Sequence, residues 1–401
     1  MKEKRVYFRQ SVVALAFMLV MLFAFGVTVS AATPTGLRQT SDSETSVKVE
    51  FTGVAGARYY GYQLATDPGF TNVLDSGYMS SSWNYAYINN LGTGASYYVR
   101  IGWGTDSKNC YANFSEPIEV VTTPAKVTNV KFIGANDNAV ALAWDMIPGA
   151  TQYRAEYNSL SYTSATNSIW VPYDPSGYSI YVRAQRVSAT GYVAEGGYAY
   201  VSNVSALTSK ISKDNFGLRN AWTGLNSFQI AANYYGHGMD VEVYDVKTGK
   251  KKFSGTANNT TYGYVEFNKF KKSTMYKYRV RAYIITTDGQ KIPGKSWSAY
   301  RYLVNPKETK YTQSGKKIKL NWSKLTGVSK IKIQVSTKEK SGYKTVATLK
   351  GTKTSYTITK YNKKALKKGK KYYVRIIYQA KSGKKNYDSD IYSQTSEIKV
   401  R

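Results

Sequence analysis

The sequence Tyr97-Tyr98-Val99-Arg100-Ile101 is one copy of a short aromatic segment that recurs along the chain. Related segments begin at Tyr178, Tyr276 and Tyr372. Apolar or aromatic residues occupy every second position, which is the period of a β-strand with one buried face. The leading tyrosines lie 81, 98 and 96 residues apart. This spacing is too long for a solenoid repeat and favours a string of separate β-sandwich domains.

Length and composition agree with that interpretation. The chain has 401 residues, which is enough for about three or four domains of roughly 100 residues each. It contains 38 tyrosines and 32 glycines, and helical periodicity is scarce, so the sequence predicts an all-β protein. The single cysteine, Cys110, excludes an internal disulfide framework and a cysteine-based metal site.

The first 32 residues have the pattern of a signal peptide. Basic residues at 2–9 precede an apolar run at 12–27, and small residues at 29–31 offer a cleavage site. Residues 1–32 are therefore predicted to be a signal peptide, and the protein to be secreted and extracellular, with cell-wall association as an option. An uncleaved membrane anchor is the alternative, and it would be the chain's one attachment to a membrane.

The remaining residues divide into four predicted modules at 33–123, 124–208, 209–303 and 304–401. Prolines near two of the boundaries, Pro34 and Pro124, are typical of linkers and of the edges of strands. Segments 124–208 and 304–401 each contain an apolar alternation that ends in a tryptophan, Trp144 and Trp322. A leucine-glycine-tyrosine corner spans Leu91–Tyr97 and Leu366–Tyr372.

With these motifs the chain resembles the fibronectin type III family in its tandem form, as found in secreted proteins of Gram-positive-like bacteria. The resemblance covers nearly all of residues 33–401. It implies immunoglobulin-like β-sandwiches of seven strands, each with a corner tyrosine that hydrogen-bonds back to the chain. Phe51 takes the place of the tryptophan in module 33–123 and Ala232 in module 209–303, so module 209–303 is expected to be a diverged fibronectin type III-like sandwich. By position, the corner residues are Tyr97, Tyr178, Tyr276 and Tyr372.

Few side chains in the sequence suit catalysis. A triad or a zinc site would have to use the single histidine, His237, which lies in a Gly-His-Gly loop and is expected to be a surface residue. The acidic residues are scattered, and Asp42 and Glu44 fit a polar loop better than a glycosidase pair. No enzyme activity, cofactor or metal is therefore predicted. An enzyme would instead need a pocket that gathers two carboxylates, or His237 with an acid.

The net charge of +31 is concentrated towards the C-terminus. Segment 33–123 carries −3, 124–208 carries 0, 209–303 carries +10 and 304–401 carries +21. In the sandwich fold that the resemblance implies, alternate turns share one end of a module. In the last module these turns hold eight lysines: Lys316, Lys317, Lys338, Lys340, Lys367, Lys368, Lys370 and Lys371.

Such a cluster favours a polyanion as the partner. Of the 42 basic residues in 209–401, 36 are lysine and 6 are arginine. Lysine is a hydrated point charge, which favours a diffuse anionic cell-wall polymer, lipid head group or sulfated glycan. Nucleic acid is disfavoured, because no recognition motif is present. The alternative is that the lysines only maintain solubility and prevent edge-to-edge strand pairing.

The near-neutral first module offers a second surface. Alternation places Ala86 and Ile88 inward and Trp83, Tyr85 and Tyr87 outward. Three outward aromatic rings could stack on sugars or contact a surface protein, or they could simply pack on neighbouring strands. The sequence thus predicts a monomeric, secreted adhesion protein without catalytic activity. A passive spacer or accessory protein of a surface or glycan-degrading assembly is the alternative.

Overall fold

Extended backbone forms nearly all the regular structure of this protein. A computed structural model describes residues 32–173, 179–219, 227–258, 262–307, 309–395 and 397–401. Within those ranges the one helical segment is a 3-10 turn at Lys213–Asn215, and there is no α-helix. The predicted all-β class is confirmed. Residues 1–31 of the predicted signal peptide and the predicted corner residue Tyr178 lie outside the described residues.

The chain divides into two compact units. The first contains the described residues up to 125 together with 147–151 and 184–196. The second contains those within 126–146, 152–183 and 197–401. The division passes through segment 124–208, which contributes residues to both units, and the four-module boundaries stay a prediction.

Segment 33–123 forms seven strands in two antiparallel sheets. The strands are β1 (Thr35–Asp42), β2 (Val47–Thr52), β3 (Tyr59–Ala65), β4 (Val73–Ser80), β5 (Tyr85–Ile88), β6 (Ser96–Gly104) and β7 (Ile118–Val121). One sheet has the order β1-β2-β5 and the other β4-β3-β6-β7. Val47, Val49 and Phe51 of β2 are buried in the core and alternate with more exposed residues, as the period-2 pattern requires.

Segment 124–208 also forms one three-stranded sheet and one larger sheet. Its strands are β8 (Lys131–Ala135), β9 (Ala139–Ala143), β10 (Gln152–Tyr157), β11 (Leu160–Ser164), β12 (Ser168–Pro172), β13 (Ile180–Val187), β14 (Val193–Glu195) and β15 (Ala199–Val201). The sheet orders are β12-β9-β8 and β11-β10-β13-β14, and β15 also pairs with β13. Trp144 is buried directly after β9.

Segment 209–303 repeats the arrangement. Its strands are β16 (Phe216–Leu218), β17 (Ser227–Asn233), β18 (Gly238–Asp245), β19 (Lys251–Ala257), β20 (Tyr262–Asn268), β21 (Met275–Ile285), β22 (Lys291–Pro293) and β23 (Arg301–Val304). The small sheet has the order β16-β17-β20, and the strands of the larger one follow as β19-β18-β21-β23. Ala232, which replaces a tryptophan here, is buried.

Segment 304–401 contains the remaining strands. They are β24 (Lys310–Ser314), β25 (Lys317–Asn321), β26 (Lys330–Ser336), β27 (Lys344–Lys350), β28 (Ser355–Ile358), β29 (Lys360–Tyr361), β30 (Lys364–Ala365), β31 (Lys371–Ser382), β32 (Lys385–Gln394) and β33 (Ile398–Lys399). The small sheet has the order β24-β25-β28, and the larger one contains β27-β26-β31-β32. Trp322 is buried, and its indole N–H donates to the carbonyl of Lys353.

One sheet is continuous through the last two segments. Strands β23 and β32 pair in parallel at Tyr302 and Ser389, which joins the two larger sheets into one of ten strands. The backbone N–H of Val304 donates to the Ser389 hydroxyl at 3.1 Å. Met275 and Tyr302 of segment 209–303 belong to the same buried cluster as the core of segment 304–401. Residues 209–401 therefore share one sheet, and two residues of segment 209–303 pack into the core of segment 304–401.

Candidate functional site

The predicted lysine turns lie at one end of segment 304–401. Strand β25 begins at this end of the segment, where Ile318 pairs with Ile358, the last residue of β28. The chain returns to the same place, since the amide of Leu366 donates to the carbonyl of Thr359. The end of β26 meets the start of β31 at Ser336 and Tyr373. We call the eight lysines of these turns the lysine pole: Lys316, Lys317, Lys338, Lys340, Lys367, Lys368, Lys370 and Lys371.

All eight lysines of the pole are exposed. Lys371 lies 3.1 Å from the carboxylate of Glu397. In the part of the chain that the structure describes, no carboxylate oxygen lies within ion-pair distance of the other seven ammonium groups. Unpaired ammonium groups repel one another at close range, and a polyanion would relieve that repulsion.

Sequence reasoning missed a further basic hairpin at the same end. Strands β29 and β30 place Lys360, Lys363 and Lys364 between β28 and Leu366, and all three lysines are exposed. The hairpin turns through Asn362 and Lys363, which have positive φ angles of 50° and 63°. Asparagine is common in such turns, but lysine rarely adopts a positive φ. Only Asn362 therefore indicates the turn in the sequence, and the hairpin was not predicted.

The predicted aromatic face forms a connected row of rings. Trp83 lies just before β5, whereas Tyr85 and Tyr87 lie on it. The rings of Trp83 and Tyr85 stack with centroids 5.6 Å apart, and those of Tyr85 and Tyr87 meet edge to face at 5.4 Å. Trp83 and Tyr87 are 52% and 57% exposed, while the alternate residues of β5 are buried. We call these three residues the aromatic ridge.

Charged groups of neighbouring strands support the ridge. The Lys48 ammonium lies 4.7 Å from the centre of the Tyr85 ring and 2.8 Å from Glu50. Its hydrogen bond to Glu50 raises the pKa of Lys48, and the same bond lowers the pKa of Glu50. Arg38 also pairs with Glu50 at 2.7 Å. The ridge thus has a fixed cation beneath its rings, and packing on neighbouring groups accounts for part of its surface.

The three described corner tyrosines make the same hydrogen bond. Each phenol oxygen accepts from the backbone N–H five residues earlier: Tyr97 from Gly92 at 2.9 Å, Tyr276 from Lys271 at 3.2 Å and Tyr372 from Lys367 at 3.1 Å. In segment 304–401 this bond fixes the backbone of Lys367, which belongs to the lysine pole. The corner therefore positions the turn that carries half of the pole.

His237 is not the surface loop residue that the sequence predicts. It is partly buried, its ring meets Phe132 at 5.8 Å, and its Nδ1 accepts from the amide of Ile285 at 2.8 Å. Burial lowers its pKa, against the opposing effects of the backbone at Asn203 and Ile285. The backbone of Asn203 lies near the ring and raises its pKa. Among the described residues, however, His237 Nε2 has no hydrogen-bond partner at normal distance and angle. The reason for the burial is that β8 packs against the loop that holds the ring.

The other candidates for chemistry are also built into the fold. Cys110 is buried, its thiol contacts the carbonyl of Ser107, and burial raises its pKa. Asp42 accepts hydrogen bonds from Thr123 and Tyr192. Among the residues with described positions, no three His, Cys, Asp or Glu side chains gather as a metal site would require. Over the same positions, no helix has the length and apolar character needed to cross a membrane.

Comparison with known proteins does not assign the chain to a family. The chain matches no known protein family. It also has no significant match among curated protein sequences.

Proposed function

We propose that this chain is an exported, non-catalytic binding protein made of fibronectin type III-like modules, and that its lysine pole holds an anionic surface polymer. The observation that carries the proposal is the gathering of eight exposed lysines at one end of segment 304–401, seven of them without an ion pair among the described residues. The hairpin at Lys360–Ala365 adds three more lysines to that end.

The strand orders support the fibronectin type III assignment. In every segment the first, second and fifth strands form the small sheet, with β1-β2-β5 as the first example and β24-β25-β28 as the last. In each larger sheet the third strand pairs with the fourth. Its other partner is the sixth strand in the first three segments, as in β4-β3-β6-β7, and is β31 in the last segment, where the short hairpin β29–β30 intervenes. A small sheet of the first, second and fifth strands that faces a larger sheet, together with the corner tyrosines, is compatible with an immunoglobulin-like sandwich.

The chemistry of the pole favours a diffuse polymer over a shaped ligand. Lysine ammonium groups on flexible stems attract phosphate or sulfate at many positions, whereas planar arginine forks select one geometry. Binding would release counterions and would therefore weaken steeply as salt increases. A wall polymer with phosphate groups, an anionic lipid surface and a sulfated glycan share this chemistry. The aromatic ridge in segment 33–123 would then present a contact face to a surface protein or sugar.

The test compares two triple variants of the chain from residue 33 onwards. K367Q/K368Q/K370Q removes three charges from the pole, and K381Q/K384Q/K385Q removes three exposed charges from the β31–β32 turn at the other end of the segment. Retention is measured on poly(glycerol phosphate), heparin and phosphatidylglycerol vesicles between 0.05 and 0.5 M salt. We expect the pole variant to bind on the order of tenfold more weakly near 0.1 M salt, and the control to resemble the parent.

Two results would count against the proposal. Equal losses in the two variants would mean that net charge matters and the position of the lysines does not. No salt-dependent retention of the parent on any of the three supports would leave the passive spacer as the better description.

A further inference from the structure

A cavity of about 660 Å³ opens on the larger sheet of segment 124–208. It is lined by the β10–β11 hairpin and by Tyr181 of β13, and its volume is within the range of roughly 300–1,000 Å³ that is usual for ligand sites. The hairpin turns at Asn158 and Ser159, whose φ angles are 49° and 63°. Two successive positive φ angles define a tight type I′ turn, which holds the wall of the cavity in place.

Three tyrosines form an exposed platform at this site. Tyr181 lines the cavity and pairs with Tyr200 of β15 across the sheet. Its ring lies 5.9 Å from that of Tyr198 and 6.0 Å from that of Tyr200. Tyr181 is 45% exposed, Tyr198 41% and Tyr200 65%. Tyr181 meets Tyr198 edge to face and is tilted by 46° from Tyr200, so the rings offer a ligand an angled apolar surface rather than one flat face.

Hydrogen bonds and stacking orient the platform in advance. The Tyr198 hydroxyl donates to Glu156 Oε2 at 2.9 Å, and the Arg183 guanidinium lies 3.3 Å from the centre of the Tyr198 ring. Arg154 contacts the other oxygen of Glu156 at 2.8 Å and donates to the Ser161 hydroxyl at 3.0 Å. A ligand would meet groups that are already fixed, which lowers the entropy cost of binding.

The polar groups of the cavity indicate the charge of its ligand. Its two charged lining residues, Arg154 and Glu156, pair with each other, so the walls are close to neutral. The other polar groups of the wall include Asn158, Ser159 and Ser161, which combine amide and hydroxyl donors and acceptors. Neutral walls rich in hydroxyl and amide groups, beside apolar rings, match a neutral molecule that has many hydroxyls and one apolar face.

We infer that this cavity, with the platform of Tyr181, Tyr198 and Tyr200, is a binding site for a neutral saccharide. The C–H face of a sugar ring would stack on a tyrosine, and its hydroxyls would bond Glu156, Arg154 and Ser161. The site goes beyond the proposed polyanion binding, because it lies on another segment and the two charged residues that line the cavity, Arg154 and Glu156, neutralise each other. Its test is therefore run at a salt concentration that screens the lysine pole.

The test uses the chain from residue 33 onwards and four insoluble neutral glycans: cellulose, chitin, starch and curdlan. Retention is measured by sedimentation in 0.5 M NaCl for the parent, for Y181A/Y200A and for the control Y262A/Y264A. The control removes two other exposed tyrosines, which are 41% and 45% exposed on β20. We expect the parent to be retained on at least one glycan, Y181A/Y200A to be retained about tenfold more weakly, and the control to be unchanged.

A second variant separates the polar contacts from the rings. Glu156→Gln keeps the size of the side chain but removes its charge, and we expect severalfold weaker retention on the same glycan. The inference is overturned if the parent passes all four glycans in 0.5 M NaCl, or if Y181A/Y200A is retained as well as the parent. It is also overturned if the soluble oligosaccharide of the retaining glycan does not release the protein, as would happen with a nonspecific aromatic contact.

Discussion

Gly149 combines a backbone angle and a close contact that only glycine accommodates. Its φ is 77°, and an added Cβ would overlap the backbone carbonyl of Gly94, which precedes the corner residue Tyr97. Gly191 has a similar φ of 83°, yet a Cβ there would meet nothing within 4 Å. Comparing Gly149 with Gly191 therefore separates the free-energy cost of the positive φ angle from that of the steric contact.

We expect G191A to destabilise the chain by about 1 kcal/mol, because it strains the backbone alone. G149A should cost at least about 2 kcal/mol more, since the two loops must also move apart. Urea unfolding gives the free energies, and hydrogen exchange of the peptides at 92–97 and 147–151 locates the change. Equal costs for the two variants would mean that the loops separate freely and that the contact contributes nothing.

His237 should make stability depend on pH. Its folded pKa is below the usual value because the ring is partly buried. The unfolded chain therefore takes up a proton at a higher pH than the folded chain does, so stability falls as the pH drops through about 6.5, the unfolded value. H237N keeps an acceptor for the amide of Ile285 but cannot take up the proton. We expect thermal melts between pH 7.5 and 5 to show a smaller decrease for H237N than for the parent; an equal decrease would assign the effect to other groups.

Among the elements, one carboxylate of β32 binds side chains of both β21 and β23. Asp390 lies 2.7 Å from Arg301 and also accepts from the Tyr278 hydroxyl. The side chains of Arg301 and Asp390 are 24% and 15% exposed. Burial, followed by the charge of Asp390, raises the pKa of Tyr278, and the hydrogen bond to Asp390 raises that of Arg301. Removing Asp390 would leave a cation and a phenol without their shared partner.

We expect D390A to destabilise residues 209–401 by about 2–4 kcal/mol, a little below the cost of breaking a fully buried pair. D288A is the matched control, because it breaks a more exposed ion pair. In that pair the side chain of Lys131 is 44% exposed and that of Asp288 is 64% exposed. That loss should be within about 1 kcal/mol. Calorimetry of both variants gives the comparison. If D390A is as stable as D288A, the Asp390 carboxylate is not needed to hold β23 against β32.

The positions of many strands could be predicted from the sequence, but the contacts between distant strands could not. Alternation in Val47–Phe51 and the buried Trp144 and Trp322 follow from local pattern, because burial on one face has a fixed period. The contact of Arg301 with Asp390 joins residues 89 positions apart, which no local pattern records. The turn at Lys363 was missed because its φ is set by the hairpin rather than by residue type. The platform around Tyr181 was missed because its rings come from strands separated in sequence.

The arginines of the recurring aromatic segment show the same limit. Each stacks on a ring from a later part of its segment: Arg100 on Phe114 at 4.1 Å, Arg279 on Trp297 at 4.5 Å and Arg375 on Tyr392 at 4.3 Å. The sequence shows the arginine at the third position after Tyr97, Tyr276 and Tyr372, but not which ring it covers. These stacks bury the long stems of the arginines against aromatic faces on the larger sheets.

For the whole molecule, the distribution of charge leads to a prediction about side-chain chemistry. If the pole attracts a polymer through charge alone, K367R/K368R/K370R should bind within about twofold of the parent, because the charges are preserved. Retention on the same three anionic supports measures this. Binding that strengthens about tenfold in the arginine variant would instead indicate planar recognition of phosphate or sulfate, to which lysine is the poorer match.

The shared sheet of residues 209–401 has a mechanical consequence. Because β23 and β32 pair in parallel and Asp390 of β32 binds Arg301 of β23, we expect a pull on the chain to load both parts of this sheet together. If the lysine pole is bound to a surface as proposed, residues 209–401 should resist shear as one block. In optical tweezers we expect residues 209–401 to extend in a single rupture, and D390A to split that rupture into two smaller steps.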